Sequence, residues 1–168
     1  MSKKSVIAIV DTIENDPDLS KSISDIKMKM KRGKDKTYIL NGTVVISEDF
    51  APDLRVHVGI FRLRSARWEN MLIRIDEPVC QYLKNDKDYW PQIVKAGNAP
   101  AECPFKKGTI NINNASLKLT KIPPNLQPGC YKVLIQLLEK PNKLVSSTIA
   151  RCRVTATGDG SDVGRCAK

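Results

Sequence analysis

The sequence predicts an all-β fold, an antiparallel β-sandwich or β-cup of about seven to eight strands with one short helical excursion. Three observations predict it. Apolar and polar residues alternate with period two in several separate runs, the pattern of strands with one covered face. Turn residues punctuate the chain between those runs, at Arg32-Gly33-Lys34, Pro52-Asp53, Gly97-Asn98-Ala99-Pro100 and Pro128-Gly129. One stretch, Val79 to Val94, departs from the alternation, with Cys80, Leu83 and Lys84 and then Tyr89-Trp90 at helix-like spacing interrupted by Pro91. A chain of 168 residues that is 41% hydrophobic and 27% charged is long enough for one compact domain and too apolar for a disordered polycation.

In chain order, residues 1–25 read as a polar, acidic-leaning lead, 26–156 as a single β domain and 157–168 as a polar tail. Ile26 to Lys31 alternate strictly, so Ile26, Met28 and Met30 face one way and three lysines the other. After a basic turn, Tyr38 to Ile46 return as a second strand. In the third, Leu54, Val56, Val58 and Ile60 share a face opposite Arg55, His57, Gly59 and Phe61. Met71 to Ile75 is a fourth, stopped by Glu77-Pro78. Strands resume at Gly108 to Leu119. Ile122 to Gly129 forbids regular structure, because its three prolines lack donors. Tyr131, Val133, Ile135 and Leu137 alternate again, and Leu144 to Val154 supplies the last strand.

The net charge is +10, and Lys27, Lys29, Lys31, Arg32, Lys34 and Lys36 against Asp35 hold half of it within ten residues. This basic side lies on a ribbon edge or a solvent face. One reading is an edge strand guarded by lysines against aggregation. The other is a contact with an anionic membrane surface or sialylated headgroup, or with a receptor. Nucleic acid is disfavoured as a partner, since neither an aromatic strand motif nor a basic helix accompanies the charge. One histidine, His57, removes most His-based triads and multi-His metal sites. With no nucleophile elbow, phosphate loop or dinucleotide fingerprint, the expectation is a non-enzyme without a cofactor.

Five cysteines contain no C-x-x-C pair, so zinc and redox motifs fail on spacing. Disulfides or buried thiols remain. Cys80 and Cys103 flank the helical excursion, where a bridge stabilises by roughly 3 kcal/mol in the chain-entropy description. Cys130 and Cys152 lie symmetrically about Pro141 and face each other if two strands turn over at Lys140-Pro141-Asn142; a slip of one residue breaks that register. Cys166, in the tail, is then the odd thiol. The competing reading keeps all five reduced in a cytosolic protein. Asn41-Gly42-Thr43 and Asn114-Ala115-Ser116 match the N-glycosylation pattern and, with the disulfides, favour a secreted or extracellular protein. The longest apolar run near Met1, Val6 to Val10, is shorter than a signal peptide core, so that expectation implies a start upstream of Met1.

The segment Cys103-Pro104-Phe105-Lys106-Lys107-Gly108-Thr109, followed by Pro123-Pro124, Leu126 and Pro128-Gly129-Cys130-Tyr131-Lys132-Val133, resembles the insect proteins akin to the CheB chemosensory family. These are themselves similar to the lysosomal ganglioside activator and the wider ML lipid-recognition group. Asn41-Gly42-Thr43-Val44 and Pro78-Val79-Cys80 with Leu83 look like upstream elements of the insect branch, and the resemblance spans roughly Ile26 to Val154. It implies an all-β cup whose sheets open onto an apolar cavity for a lipid, glycolipid or lipid-like chemosensory signal, held for transport, presentation or extraction. It also implies a Cys80–Cys103 bridge. Candidate cavity residues are Val44, Ile46, Val56, Val58, Ile60, Leu117, Leu119, Val133, Ile135 and Leu137. The chain departs from the activator in two ways: no cysteine precedes Cys80 to pair with one in the final strand, and Cys130 stands where relatives carry an ordinary residue. An alternative without a cavity is an extracellular sandwich with a solid core that docks a protein through the basic hairpin. Trp68, Trp90 and Phe105 are candidates for a membrane contact or a cavity gate, with buried anchoring next to Cys103 the expected role of Phe105.

Overall fold

A computed structural model describes residues 6–34, 37–118, 126–156, 163 and 166, with residues 72–74 described by backbone alone. Among them are eight strands and two short helices: β1 (Ile7–Asn15), β2 (Ser24–Arg32), β3 (Thr37–Ile46), β4 (Arg55–Arg64), β5 (Arg67–Pro78), α1 (Val79–Asn85), α2 (Trp90–Lys95), β6 (Gly108–Lys118), β7 (Gly129–Glu139) and β8 (Lys143–Thr155). All strand pairs are antiparallel, in the order β5-β4-β7-β8-β1-β2-β3-β6. The all-β expectation therefore holds, and the excursion at 79–94 is a pair of helices, with Pro91 inside the first turn of α2 where its missing N–H costs nothing.

The sheet folds over at β1. This strand pairs with β8 from Ile7–Thr155 to Asn15–Thr148 but meets β2 at the single pair Ile13–Met28. Beyond that point the chain before β2 bonds β8 directly, through the Ile23 N–H to the Val145 carbonyl, at 2.9 Å. The result is a cup with β5-β4-β7-β8-β1 on one side and β2-β3-β6 on the other. Ile7–Asn15, assigned to the polar lead in the sequence, is thus a strand inside the sheet. Its run of β-branched residues is a strand signal that the acidic residues after it obscured.

Two further expectations change. β2 pairs with β3 along its whole length and with β1 at one residue pair, so it is an inner strand of the order, whose terminal strands are β5 and β6. Lys27, Lys29 and Lys31 stand exposed on the outer face while Ile26, Met28 and Met30 turn inward.

The Cys130–Cys152 pairing is also replaced. Close to the turn the β7–β8 register is symmetric about Pro141, with Glu139 opposite Lys143 and Leu138 opposite Leu144. A bulge then adds Val145 to β8, and Leu137 pairs with Ser146. Past the bulge Cys130 faces Arg153 and Cys152 faces Tyr131, so the two cysteines lie on opposite faces of the sheet. Cys130 bonds Cys166 instead, with Cα atoms 5.7 Å apart, and Cys152 is the free thiol. Cys80 and Cys103 are bridged, with Cα atoms 5.8 Å apart.

The interior holds two packed clusters. Ile23, Leu54, Val56, Val79 and Val145 form one, against which Val58, Tyr82 and Leu83 pack. Leu40, Ile112, Ala115 and Leu117 form the other, against Tyr89 and Ile93 of the helical region. Among the described residues no helix is long and apolar enough to cross a membrane.

Candidate functional site: an apolar cavity between the layers

Between the two clusters lies a cavity of about 200 Å³, partly open to solvent. From β2 it is lined by Ser24, Ile26 and Met28, from β3 by Val44 and Ile46, and from β6 by Ile110 and Ile112. The opposite wall is Ile135 and Leu137 of β7 with Ser146 and Thr148 of β8. Phe50, Trp90, Ile93 and Phe105 complete it. No lining residue is charged. The polar groups on the wall are three hydroxyls and one indole, and two of the hydroxyls satisfy each other, Ser24 Oγ lying 2.5 Å from Ser146 Oγ.

Alternation explains why these residues meet. Inward positions of β7, β8 and β2 recur every second residue, so Ile135 and Leu137, Ser146 and Thr148, and Ile26 and Met28 come from one face of each strand. Of the ten aliphatic residues expected at a cavity, Val44, Ile46, Ile135 and Leu137 line it. Val56 and Val58 belong to the first packed cluster and Leu117 to the second. Ile60 and Val133 pair with each other away from the cavity, and Leu119 lies outside the described residues, as does Lys36.

One end of the cavity is closed by aromatic rings. Phe105 is buried and stacks on Phe50 at 5.5 Å and on Trp90 at 5.6 Å between centroids. The loop carrying Phe105 is fixed by the Cys80–Cys103 bridge and by the Phe50 N–H donating to the Phe105 carbonyl at 2.8 Å. Trp90 is held by α2. The buried carboxylate of Asp86 accepts the N–H groups of Asp88 (2.9 Å), Tyr89 (3.1 Å) and Trp90 (2.9 Å). After α2 the chain hooks onto β6, with the Asn113 N–H on the Ala96 carbonyl and the Asn98 amide donating to the Thr109 carbonyl. A Cβ at Gly97 would stand 1.8 Å from the Asn111 carbonyl oxygen, so only glycine lets this approach happen.

Asp86 was not singled out in the sequence, although an acidic residue shortly before Trp90-Pro91 is a helix-start signal. Asp86→Ala removes an acceptor from three backbone donors and is expected to lower unfolding free energy by about 2–3 kcal/mol. Urea unfolding checks this, together with a red shift of tryptophan emission as Trp90 loosens. A loss under about 0.5 kcal/mol would show that the carboxylate does not hold α2.

Outside the cavity, Trp68 packs with the Lys132 ammonium 4.8 Å from its ring, and the same ammonium lies 5.4 Å from the Phe61 ring. Burial, with Arg151 nearby, lowers the Lys132 pKa. Trp68 is therefore part of a cation–π stack on the outer face rather than of the cavity. His57, half-buried, is on that outer face too, opposite Gln136. On the outer face of the other layer, Asn41 and Asn114 are neighbours: the Asn41 amide donates to Asn114 Oδ1 at 3.0 Å, and the Asn114 N–H donates to Asn41 Oδ1 at 2.7 Å. A wider groove of about 720 Å³ between α1 and α2 is lined by Leu83, Trp90, Pro91 and Val94 and, unlike the cavity, carries charged side chains on its wall, among them Lys84, Lys87, Lys95 and Glu102.

Residues 56–133 match the family described as Protein of unknown function (DUF1091). No curated protein matches the chain. Solved structures that match include chicken MD-1 complexed with lipid IVa, at 12% sequence identity and a TM-score of 0.41, over 89% of this chain and 88% of that one.

Proposed function

We propose that this chain is a non-catalytic carrier or presenter of a hydrophobic molecule, bound between its layers, and that it works in an oxidising, extracellular setting. The observation that carries the reading is the cavity: fifteen lining residues, none of them charged, where a packed core would leave no space. Apolar ligand surface removed from water at such a wall is stabilised by about 25 cal/mol per Å². The match of residues 56–133 contains the Cys-Pro-Phe segment and ends in Tyr131-Lys132-Val133, and so covers the motifs that carry the lipid-recognition resemblance. Two bridged cysteine pairs support the compartment, because disulfides persist where thiols are not kept reduced. Asn41 and Asn114 are the proposed glycan sites.

Protein from a eukaryotic secretory host, analysed by native mass spectrometry, is expected to carry a co-purified apolar molecule or to take up an added one. A bare chain that takes up nothing would reject the carrier reading and favour a solid-core docking module.

The outer face of β2 gives an accessory role. Lys27, Lys29 and Lys31 are exposed on alternate residues of one strand, in line to meet an anionic membrane surface, each contributing about 1 kcal/mol at most. Lys34, in the turn after β2, is exposed as well, whereas Arg32 takes the other face of the strand, opposite Tyr38. Changing the three strand lysines to glutamate is expected to weaken association with phosphatidylserine vesicles at least tenfold at low salt. Association that is unchanged, or already absent in the parent, removes this role.

A further inference from the structure

Resting on the carrier reading above, we propose that the ligand is a small, neutral, single-chain molecule of about eight to ten carbons, such as a medium-chain alcohol, ketone or ester, and not an ionised fatty acid or a multi-chain lipid. Two features of the cavity set this limit.

The first is size. A 150 Å³ protein cavity takes one benzene, about 25 Å³ per carbon, and on that ratio the 200 Å³ here has room for about eight carbons. On two sides it is bounded by packed clusters, Leu54 being 2% exposed and Ala115 1%, and on those sides the space has no loose side chains to displace. Carbons beyond those that fit lie at the open side, in water, and add little binding.

The second is charge. An ionised carboxylate or phosphate taken from water needs a cation or several hydrogen-bond donors. The wall has no lysine, arginine or histidine; it offers the hydroxyls of Ser24, Ser146 and Thr148 and the indole of Trp90. The Trp90 Nε1–H, without a hydrogen-bond partner among the described residues, has almost no accessible surface, and the Ser24–Ser146 pair already uses one of its protons internally, so the hydroxyls are the polar groups left to meet a ligand. This inventory suits one neutral oxygen, which accepts a hydrogen bond without bringing a charge.

Equilibrium dialysis of the intact, disulfide-bonded chain against straight-chain alcohols and the matching carboxylates, from four to eighteen carbons at pH 7.5, tests the proposal. Alcohol affinity should climb about fourfold per methylene and level off at eight to ten carbons. At equal length the carboxylate should bind at least tenfold more weakly. Affinity that keeps climbing through sixteen carbons, or carboxylates that bind as tightly as alcohols, overturns the size or the charge limit while leaving the carrier reading standing. If no compound of either series binds, the carrier reading itself fails.

Discussion

Ile135→Trp is expected to abolish ligand uptake while leaving the fold in place. Ile135 sits on the inner face of β7, opposite Thr148, yet 36% of its surface is accessible because that surface opens into the cavity. Tryptophan adds about six heavy atoms where there is room for about eight, and at roughly fourfold per lost methylene contact a reduction of at least 100-fold in affinity follows. The change fills space rather than creating it, so the unfolding free energy should stay within about 1 kcal/mol of the parent. Val45→Trp is the control. Val45 neighbours the lining residues Val44 and Ile46 on β3 but is 41% exposed on the outer face, and its replacement should leave uptake unchanged. Uptake that survives Ile135→Trp with the circular dichroism spectrum intact would show that the cavity is not where the ligand sits.

Native Cys152 should react with iodoacetamide about 1,000-fold more slowly than the same residue in urea. Burial pushes its thiol from 9.0 up to about 12, with the Asp11 charge adding to the shift, so at pH 8 the thiolate fraction is lower by that factor. Mass spectrometry should find one alkylated site per chain after unfolding without reductant, with Cys80–Cys103 and Cys130–Cys166 intact as linked peptides. Equal rates in the folded and unfolded chain would mean an open thiol, and no reactive thiol in urea would mean that Cys152 is paired. The same shift has a sign for stability. Between pH 9 and about 12 the unfolded chain loses the Cys152 proton while the folded chain keeps it, so this stabilisation is complete below pH 9 and drains away as pH rises to about 12. Cys152→Ala should show a shallower alkaline loss over that window.

The strands were legible because their signal is local. Lys27, Lys29 and Lys31 alternate with Ile26, Met28 and Met30, and the inward and outward faces of β2 follow from that pattern alone. The same holds for Tyr131 to Leu137 in β7 and for the helical departure at 79–94, where Pro91 sits in the first turn of α2. β1 was not legible in the same way. Five apolar residues followed by Asp11 and Glu14 have no clear period, and the strand exists because β8 offers eight partners to it. The acidic residues are accommodated by pairing across that seam, Asp11 with Arg153 at 2.8 Å and Glu14 with Arg151 at 3.5 Å.

By itself, then, the sequence determined the all-β class, the faces of most strands and the outward placement of the basic row, since each depends on residues two apart. Tertiary structure alone decided the rest. One added residue, Val145, moved Cys130 and Cys152 to opposite faces and left Cys166 to take the bridge. Val56, Leu117 and Ile135 carry the same apolar, alternating signal, but Val56 and Leu117 meet packed neighbours and Ile135 meets a gap. Alternation specifies which side of a strand faces inward; how far apart the two layers stand there is set by where the sheet folds over at β1 and by the Phe50–Phe105–Trp90 stack, contacts between residues distant in the chain.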